Sequence, residues 1–429
     1  MTLIQIGRST KSSATDSAID FHLVPGTELL FVVKGSRLYS LVDTGRSSLA
    51  EQVNGLQGKT PRIGVLDSPP ALSLNIAQTC NLACRYCYAD EGKFGGEVKL
   101  MPLEMAQEAI RVHISRAVQQ HVSVGFIGGE PLLNRCVLHG ATQFAVREAA
   151  RNSIGISFGL TTNATLLQPL DLELLRSLPF AVNVSLDGAK EINDYLRPAR
   201  NDRSSFDAVL DRIQPLLAHP GRSRLAARVT LTRRNLNVPE HIRSLANVGF
   251  AEVGVSPMRT GPDPSLRIGK ADWIELLAQM KAAATEDWSR VQNSGGILQF
   301  SNFSTALRQL YYGACNALPC GSAATYVSLA ADGLYYTCHR TVGKSEFQLG
   351  SIQDGLSVDL RRTFSEDRAV DLQDPCRSCW ARYLCGGGCH AEVADVGREG
   401  CDAIRGWLDF CMSIYPEVLA RRPDLLKNQ

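Results

Sequence analysis

The chain is long and almost neutral. Its 429 residues exceed what one compact core usually holds, so two or three domains are expected. Lys and Arg together number 45, against 43 for Asp and Glu, which gives no reason to expect a nucleic-acid or membrane partner. No apolar run reaches membrane-spanning length. The polar segment Met1–Asp16 lacks the apolar core of a secretory signal, so we expect a cytoplasmic protein.

The first part of the chain has the pattern of a small β-rich module. Three short apolar runs within 21–42, separated by Gly and Ser turns, predict strands. A helix is predicted over Ser47–Leu56, and a linker near Gln57–Pro70. We therefore treat residues 1–66 as an N-terminal module.

From Ala71 onward, strand and helix patterns alternate. The predicted strands lie at 71–76, 122–127, 154–160, 181–186, 226–231 and 252–257. The predicted helices lie at 102–120, 138–151, 169–178, 206–217, 238–248 and 271–288. Six βα units predict an α/β fold with a parallel sheet, which we assign to residues 67–300 as a partial (β/α)6 barrel of the TIM type. An open doubly wound sheet would give the same pattern.

Cysteine is the unusual residue of this composition. The chain has 13 cysteines, with one tight group at 80–87 and a second group between 315 and 411. Because the number is odd and no export signal is present, metal ligation is a stronger interpretation than disulfide bonding. Residues 301–429 are rich in Gly and Cys, and metal clusters would hold such a segment together.

The first cysteine group has the spacing C-x3-C-x2-C and follows the first predicted barrel strand. Cys80, Cys84 and Cys87 offer three thiolates, whereas an iron–sulfur cluster normally takes four ligands. One iron would therefore stay open to a ligand from outside the chain. A structural zinc ion is the alternative, although it prefers four protein ligands and no nearby His or Cys completes the set.

The segment CNLACRYCY (80–88) resembles the signature of radical S-adenosylmethionine (SAM) enzymes. In that family the three cysteines hold a [4Fe–4S] cluster whose open iron binds the amino and carboxylate groups of SAM. Three more segments resemble family motifs in the same order: GGEP (128–131), TTNAT (161–165) and SLDG (185–188). All follow predicted strands, at the ends where barrel active sites lie.

The resemblance implies a set of residues around SAM. Tyr86 would lie beside the adenine, the GGEP backbone would contact the SAM amino group, Asp187 would be a polar catalytic residue, and Ala164 stands where the family often has Gly. Arg197 is a candidate for binding a carboxylate, with a solvated charge at a helix end as the alternative. The implied cofactor-binding residues are Tyr86, Gly128, Gly129, Glu130, Ser185 and Arg197.

The second cysteine group resembles the SPASM extension of radical SAM enzymes, which binds two auxiliary [4Fe–4S] clusters, so three clusters are expected in all. The resemblance rests on the run C-x2-C-x5-C-x3-C, and zinc ribbons are the alternative. It implies one cluster held by Cys376, Cys379, Cys385 and a later cysteine, and another held by Cys320, Cys338 and Cys389.

Two ligand assignments stay open at this point. The later cysteine is Cys401 or Cys411, and we favour Cys401 because CDAIRG (401–406) resembles the continuation of the family into a helix. Cys315 is the candidate fourth ligand beside Cys320. Without Cys315 that cluster would have an open iron, which could bind a substrate thiolate.

The family resemblance implies a peptide maturase. SAM would be cleaved to methionine and a 5′-deoxyadenosyl radical, which removes hydrogen from a ribosomally made precursor peptide or a small protein subunit. The N-terminal module would bind a leader segment by strand addition. An electron donor such as flavodoxin or ferredoxin would supply the electron.

The bond that is formed is a finer prediction. His339 stands where sulfatase maturases carry an acidic residue, which argues against formylglycine formation. The segment CWARYLCGGGCH resembles cross-linking maturases, including those that act on quinohemoprotein amine dehydrogenase subunits. An intrapeptide thioether is the first choice and a carbon–carbon cyclophane the second, with His339 and Asp187 as candidate proton acceptors. A non-catalytic electron-transfer protein or a metal-stabilised binding protein is the alternative of another class.

Overall fold

The computed structural model describes residues 4–7, 20–42, 61, 64–201 and 203–427. The helix predicted over Ser47–Leu56 lies outside the described residues, as do residues 57–60, 62 and 63 of the predicted linker. Within the described ranges, none of the helices combines the length and the apolar character needed to cross a membrane.

The N-terminal module is a small sheet of four strands. Its members are β1 (Ile4–Gly7), β2 (Phe21–Leu23), β3 (Leu29–Val32) and β4 (Arg37–Val42), in the order β1-β4-β3-β2. The three strands predicted from the sequence are confirmed, and β1 was missed. Because β3 is buried along its whole length, the module packs as part of the protein core. The His22 ring also stacks on Trp380 of the C-terminal region, with ring centres 3.8 Å apart.

The central sheet and its helices follow the predicted alternation. The strands are β5 (Ala71–Gln78), β6 (Lys99–Leu100), β7 (His121–Gly128), β8 (Gly155–Thr162), β9 (Phe180–Ser185), β10 (Arg224–Leu231) and β11 (Glu252–Pro257). The helices are α1 (Leu103–Ser115), α2 (Arg135–Arg151), α3 (Pro169–Ser177), α4 (Lys190–Leu196), α5 (Ser205–Ala218) and α6 (Val238–Val248).

The strand order decides between the two predicted architectures. The six long strands run β11-β10-β9-β8-β7-β5, and each neighbouring pair is parallel. A doubly wound sheet reverses its strand order at a switch point, whereas this order follows the chain without reversal. The fold is therefore the predicted open (β/α)6 barrel, with no closure of the sheet on itself among the described strands.

The two faces of the sheet differ in chemistry. On β5, Leu72, Leu74 and Ile76 belong to the apolar core, whereas Ser73 and Asn75 alternate with them and point to the opposite face. The other long strands repeat this pattern, as Ser185 on β9 and Thr230 on β10 illustrate. Parallel strands that are covered on both faces are usually apolar throughout. A polar concave face therefore leaves room for ligands inside the open barrel.

The C-terminal region combines helices with a short extension of the sheet. Its elements are α7 (Lys270–Ser294), α8 (Ser301–Tyr312), β12 (Tyr326–Leu329), β13 (Leu334–Tyr336), β14 (Gln348–Ser351), β15 (Gly355–Leu356), α9 (Val358–Asp367), α10 (Arg382–Cys385), α11 (His390–Val396) and α12 (Cys401–Arg421). Strand β12 pairs in parallel with β5, with Tyr326 opposite Ala71. This pairing was not predicted, and it joins the cysteine-rich region directly to the barrel.

A buried arginine fixes this junction. Arg361 has no exposed surface, and its guanidinium donates only to main-chain carbonyl oxygens. The acceptors are Ala323 and Ala324, just before β12, and Leu66 and Asp67, just before β5. Because buried polar groups require partners, these bonds hold both strands in register where the barrel meets the C-terminal region.

Candidate active site

Three thiols converge at the carboxyl ends of the barrel strands. Cys80, Cys84 and Cys87 line one cavity of about 220 Å³. The cavity wall also contains, from the four loops that the sequence motifs mark, Tyr86, Gly128, Gly129, Thr161, Thr162, Asn163, Ser185 and Arg197. The predicted cysteine set and most of the predicted cofactor-binding residues therefore lie around one space.

The thiols need a positively charged partner. Burial, with a smaller contribution from neighbouring thiols, raises the pKa of Cys80 to about 11 and that of Cys84 to about 12. Arg197 acts in the opposite direction on both but does not compensate. An iron centre binds thiolates and supplies positive charge. Three thiols around one cavity, with open space beside them, therefore fit a [4Fe–4S] cluster with one position for a further ligand.

The GGEP segment lies so close to the cysteine loop that only glycine fits. A Cβ atom on Gly128 would lie 2.3 Å from the Ala77 carbonyl oxygen, and one on Gly129 would lie 2.3 Å from the Thr79 carbonyl oxygen. The N–H groups of Gly129 and Glu130 donate to these same two oxygens. The carbonyl groups of the segment are consequently the ones suited to accept hydrogen bonds from an amino group.

The Glu130 side chain ties the GGEP segment to the TTNAT segment. It is fully buried, and one carboxylate oxygen accepts from the Leu132 N–H at 3.0 Å and the Thr162 hydroxyl at 2.7 Å. The other oxygen accepts from the Asn163 N–H at 2.7 Å. Burial raises the pKa of Glu130 to about 7, against the opposing effect of these hydrogen bonds. Glu130 thus acts as a positioning residue, with both oxygens engaged by the protein.

The TTNAT segment in turn packs against the cysteine loop. The Asn163 amide donates to the Asn81 side-chain oxygen at 3.0 Å and lies 3.8 Å from the Cys80 sulfur. The Asn81 amide donates to the Thr165 hydroxyl at 2.8 Å. Ala164 is fully buried with a positive φ of 58°, a conformation that favours glycine. The departure from the family pattern thus falls at a position where glycine would relieve backbone strain.

Asp187, Arg197 and Tyr86 form one buried group. The Arg197 guanidinium donates to both oxygens of Asp187, at 2.8 and 3.2 Å. The Tyr86 hydroxyl lies 2.5 Å from the same carboxylate, which also accepts from the Thr230 N–H at 2.8 Å. Arg197 is only 7% exposed, so it is not the solvated charge of the alternative interpretation. The contacts of Asp187 place it as a support for Arg197 and Tyr86 at the cavity wall.

A second set of four thiols lies in the C-terminal region. Cys376, Cys379, Cys385 and Cys401 line one small cavity, and the pKa of Cys385, raised first by burial, is raised further by the other three. Arg405 and Arg398 lie beside them and act against this increase at Cys401. Cys411 lies elsewhere, fully buried in the apolar core. The geometry therefore agrees with Cys401, rather than Cys411, as the later cysteine of the set.

A third set contains three thiols. The pKa of Cys320 is raised by burial and then by Cys338 and Cys389, which places these three side chains together. Cys315 is in a different environment, where its charged neighbours are Asp371 and Arg382 and its thiol accepts from the Gly35 main chain. The assignment of Cys315 as the fourth ligand beside Cys320 stays a prediction.

The proposed ligand sets have the donor chemistry of iron–sulfur sites. Each set consists of neighbouring thiols. The second set offers four thiols and the third set offers three. In the part of the chain that the structure describes, no three His, Cys, Asp or Glu side chains stand close enough to ligate one metal ion.

His339 follows Cys338 and has a partly buried position. Its Nδ1 atom lies 2.7 Å from the hydroxyl of Tyr326, which also bonds the Ser73 side chain on β5. Burial lowers the pKa of His339 to about 4, with a smaller contribution from Arg340.

Sequence reasoning missed Arg340. Its guanidinium lies 4.6 Å from the centre of the Tyr88 ring and lines the cavity that contains Cys80, Cys84 and Cys87. The sequence signal that could have pointed to this contact was Tyr88, which directly follows the third cysteine.

Comparison with known proteins agrees with this geometry. Residues 74–222 match the family described as the Radical SAM superfamily, and the match spans the cysteine loop and the GGEP, TTNAT and SLDG segments. The chain contains a radical SAM domain, and this family implies a [4Fe–4S] cluster and SAM as cofactors.

Its relatives are maturating enzymes. The chain is 27% identical over 342 residues to mycofactocin maturase MftC of Mycobacterium tuberculosis, covering 77% of this chain and 81% of the relative. It is 25% identical over 333 residues to a serine-type anaerobic sulfatase-maturating enzyme of Klebsiella pneumoniae, covering 76% and 82%.

Solved structures share the fold. Native anSMEcpe with bound AdoMet matches with a TM-score of 0.69 at 19% identity, over 82% of this chain and 99% of that chain. Streptococcus suis SuiB matches with a TM-score of 0.54 at 14% identity, over 89% and 97%. At these identities the likeness concerns the fold alone.

Proposed function

We propose that the chain is a radical SAM maturase that forms an intrapeptide thioether in a ribosomally made precursor peptide or a small protein subunit. The observation that carries the proposal is the third thiol set, in which Cys320, Cys338 and Cys389 are electrostatic neighbours, whereas the charged neighbours of Cys315 are Asp371 and Arg382. An iron–sulfur cluster held by three thiols has one position left for a ligand from outside the chain. A substrate cysteine thiolate is the ligand that thioether formation requires. The names of the relatives support a peptide or protein substrate.

The first site would hold the cofactors that begin the reaction. Cys80, Cys84 and Cys87 would bind the first cluster, and Arg197, oriented by Asp187, would face the carboxylate or ribose of SAM. When bound, these cofactors supply a 5′-deoxyadenosyl radical by reductive cleavage of SAM. The buried carboxylates around the cavity are held by protein hydrogen bonds, so the site is preorganised before a ligand enters.

The thioether reaction balances with one base and one electron acceptor. A substrate C–H bond gives its hydrogen atom to the radical, which becomes 5′-deoxyadenosine, while the substrate thiol loses a proton and a carbon–sulfur bond forms. One electron is left over, which matches in number the one electron that SAM cleavage consumed. We propose the auxiliary clusters as its acceptor. We propose His339, which directly follows the ligand Cys338 and whose Nδ1 atom lies 2.7 Å from the Tyr326 hydroxyl, as the residue that accepts the proton.

The N-terminal module is the proposed binding site for a leader segment. Its strand β2 is paired only with β3 among the described strands, and Phe21 and Leu23 on it are 37% and 47% exposed. An exposed strand edge can add a strand from a peptide. Phe21→Lys should weaken precursor binding, whereas the same change at Val118, which is exposed elsewhere, should not. Equal affinities of the two variants would remove the leader-binding role.

The experiment begins with anaerobic reconstitution of the full chain. Iron and sulfide counting should give about twelve irons, and dithionite with SAM should give 5′-deoxyadenosine. Cys315→Ala should keep this iron content, whereas the matched change Cys320→Ala should lose about four irons. The two variants losing iron equally would show that Cys315 is a ligand and would remove the open position.

The product distinguishes the two cross-links. Incubation with the precursor peptide encoded nearby should remove two hydrogens from the peptide, detected by mass spectrometry. A thioether product no longer reacts with iodoacetamide at the modified cysteine, whereas a carbon–carbon cyclophane leaves that thiol reactive. Retained iodoacetamide reactivity in a cross-linked product would therefore favour the cyclophane and overturn the thioether.

A further inference from the structure

A second, larger cavity lies beside the barrel. It encloses about 590 Å³ between the β11 edge of the sheet and the helices α7, α8 and α12. Ser256 and Pro257, at the end of β11, line both this cavity and the cavity that contains the three thiols of the first site. The two cavities are therefore adjacent at the end of β11.

The larger cavity has an apolar wall and two arginines. The apolar part consists of Trp273, Leu276, Leu277, Met280 and Trp407. The arginines are Arg228, from the concave face of β10, and Arg259, which follows β11. Glu392 and Glu399 line the same space, where they pair with Arg259 and Arg267, and so do the thiols Cys385 and Cys389. The part of the cavity at Arg228 has the character of a site for an anion that is attached to apolar groups.

Arg228 is held in the cavity by uncharged partners. Its Nε donates to the Asn183 side-chain oxygen at 2.9 Å, and its Nη1 donates to the Ser301 hydroxyl at 3.0 Å. The neighbouring strand makes room for it, because a Cβ atom on Gly254 would lie 1.9 Å from Nη1. These hydrogen bonds orient the guanidinium without a carboxylate acceptor, and Glu252 is its charged neighbour.

Arg259 is buried and only partly satisfied. It is 8% exposed, donates to the Gly397 carbonyl at 2.6 Å, and lies 3.5 Å from the Glu392 carboxylate. Glu392 also pairs with Arg340 at 2.9 Å, so one carboxylate serves two arginines. Among the described residues, the Arg259 Nε–H and the Trp273 indole N–H are buried without an acceptor. Buried N–H groups normally have partners, so this wall is short of acceptors.

We propose that this cavity binds a carboxylate of the substrate, with Arg228 and Arg259 as its charge partners and the tryptophans and leucines packing the adjoining residue. The inference rests on the proposed peptide substrate and narrows its class. Arginine binds carboxylates with paired N–H groups, and such charge-assisted hydrogen bonds are stronger than those between neutral groups. The carboxylate belongs either to an acidic side chain or to the C-terminus of the peptide.

This assignment gives the cavity a role in selecting the reacting residue. Since the two cavities meet at Ser256 and Pro257, a carboxylate fixed in the larger one leaves the neighbouring part of the peptide at the first site. Arg228 and Arg259 would then set which carbon lies beside the radical. Holding a substrate in one position in this way contributes to rate as well as to specificity.

Binding of small peptide probes tests the inference directly. Equilibrium dialysis would use the reconstituted, SAM-saturated holoenzyme without reductant, so that the SAM carboxylate site is already filled. The probes are N-acetyl-Leu-Leu and its amide, for a C-terminal carboxylate, and N-acetyl-Leu-Asp-Leu-amide with its Asn counterpart, for an acidic side chain. At least one acid should bind about tenfold more tightly than its uncharged partner, and the tighter acid identifies the source.

Two variants locate this preference. Arg228→Gln should abolish it, and Gly254→Ala should reduce it severalfold by displacing the guanidinium while keeping every charge. Arg243→Gln is the matched control, because Arg243 is exposed, pairs with Glu286 and is not among the residues that line the cavity. Equal binding of acids and uncharged partners, or a preference that survives both variants, would overturn the inference.

The same preparation separates this inference from the proposed function. If dithionite yields 5′-deoxyadenosine but no carboxylate preference is found, the carboxylate site is wrong and the radical chemistry stands. If the acid preference is found and depends on Arg228, but no 5′-deoxyadenosine forms, the binding site stands and the proposed function fails.

Discussion

The Asp187 carboxylate and the Arg197 guanidinium form a two-point ion pair at the wall of the candidate SAM cavity. Nε of Arg197 lies 2.8 Å from one oxygen and Nη2 lies 3.2 Å from the other. Asp187 is fully buried and Arg197 is 7% exposed, so both charges have lost most of their hydration. Such a pair is stable only while both partners and their hydrogen bonds are present.

Breaking this pair should be costly. Asp187→Asn leaves Arg197 charged and buried without a counter-charge, so we expect the unfolding free energy to fall by about 3–5 kcal/mol in anaerobic urea titrations. Asp207→Asn removes an exposed partner of Lys190 and should cost less than about 1 kcal/mol. Similar costs for the two variants would contradict the structural role of Asp187.

Glu130 should make stability depend on pH. Its pKa of about 7 in the folded protein exceeds its ordinary value of 4.5, so the folded state holds the proton more tightly. This contribution to stability is complete below about pH 4.5 and is lost as the pH rises through about 7. The unfolding free energy of the wild type relative to Glu130→Gln should therefore fall between about pH 5 and about pH 7.5.

A matched variant checks the assignment of this pH effect. Thr285 is exposed and its hydroxyl donates to the Lys281 carbonyl oxygen, so Thr285→Ala removes no acidic group and should differ from the wild type by the same amount at both pH values. If the difference for Glu130→Gln were also constant, Glu130 would not titrate in this range.

Ala164 should tolerate replacement by glycine. Its φ of 58° costs about 1–2 kcal/mol for a residue with a Cβ, and Ala164→Gly relieves this while it removes a buried methyl group worth about 0.8 kcal/mol. The unfolding free energy should therefore stay within about 1 kcal/mol of the wild type. Ala145→Gly, at a buried site within α2, should cost about 1.5–2 kcal/mol, because both effects there are unfavourable. A larger loss at Ala164 than at Ala145 would contradict the strained backbone.

The cysteines of the last helix should differ in iron content. Cys401→Ala removes one of the four thiols that share a cavity, so we expect about four fewer irons after reconstitution. Cys411→Ala enlarges the apolar core but should keep the full iron content. Loss of iron from Cys411→Ala with retention in Cys401→Ala would reverse the assignment.

The barrel could be predicted because its signals are local. Each long strand alternates apolar residues with small or polar ones, and each motif directly follows a strand. The three cysteines of the first site and GGEP therefore fell at the correct edge of the sheet. The lack of a reversal in strand order needed the structure, since an open doubly wound sheet has the same sequence pattern.

The rest depends on contacts between distant segments. Strand β12 has only four residues, yet it pairs with β5, which lies far from it in the sequence. No sequence period predicts such a pairing. The hydrogen bond from the Asn163 main chain to Glu130 and the position of Cys315 beside Asp371 and Arg382 are likewise set by folding. Sequence spacing proposed these residues as ligands or cofactor contacts, whereas their positions depend on which loops the fold brings together.

Radical chemistry at the first thiol site is the central claim, and one measurement tests it most directly. The anaerobically reconstituted protein would be reduced with dithionite in the presence of SAM and assayed for 5′-deoxyadenosine, with Cys84→Ala as the control. We expect 5′-deoxyadenosine from the wild type, with iron and sulfide in the protein, and none from the variant. Zinc in place of iron, or a fully reconstituted protein that forms no 5′-deoxyadenosine, would contradict the claim and favour a metal-stabilised binding protein.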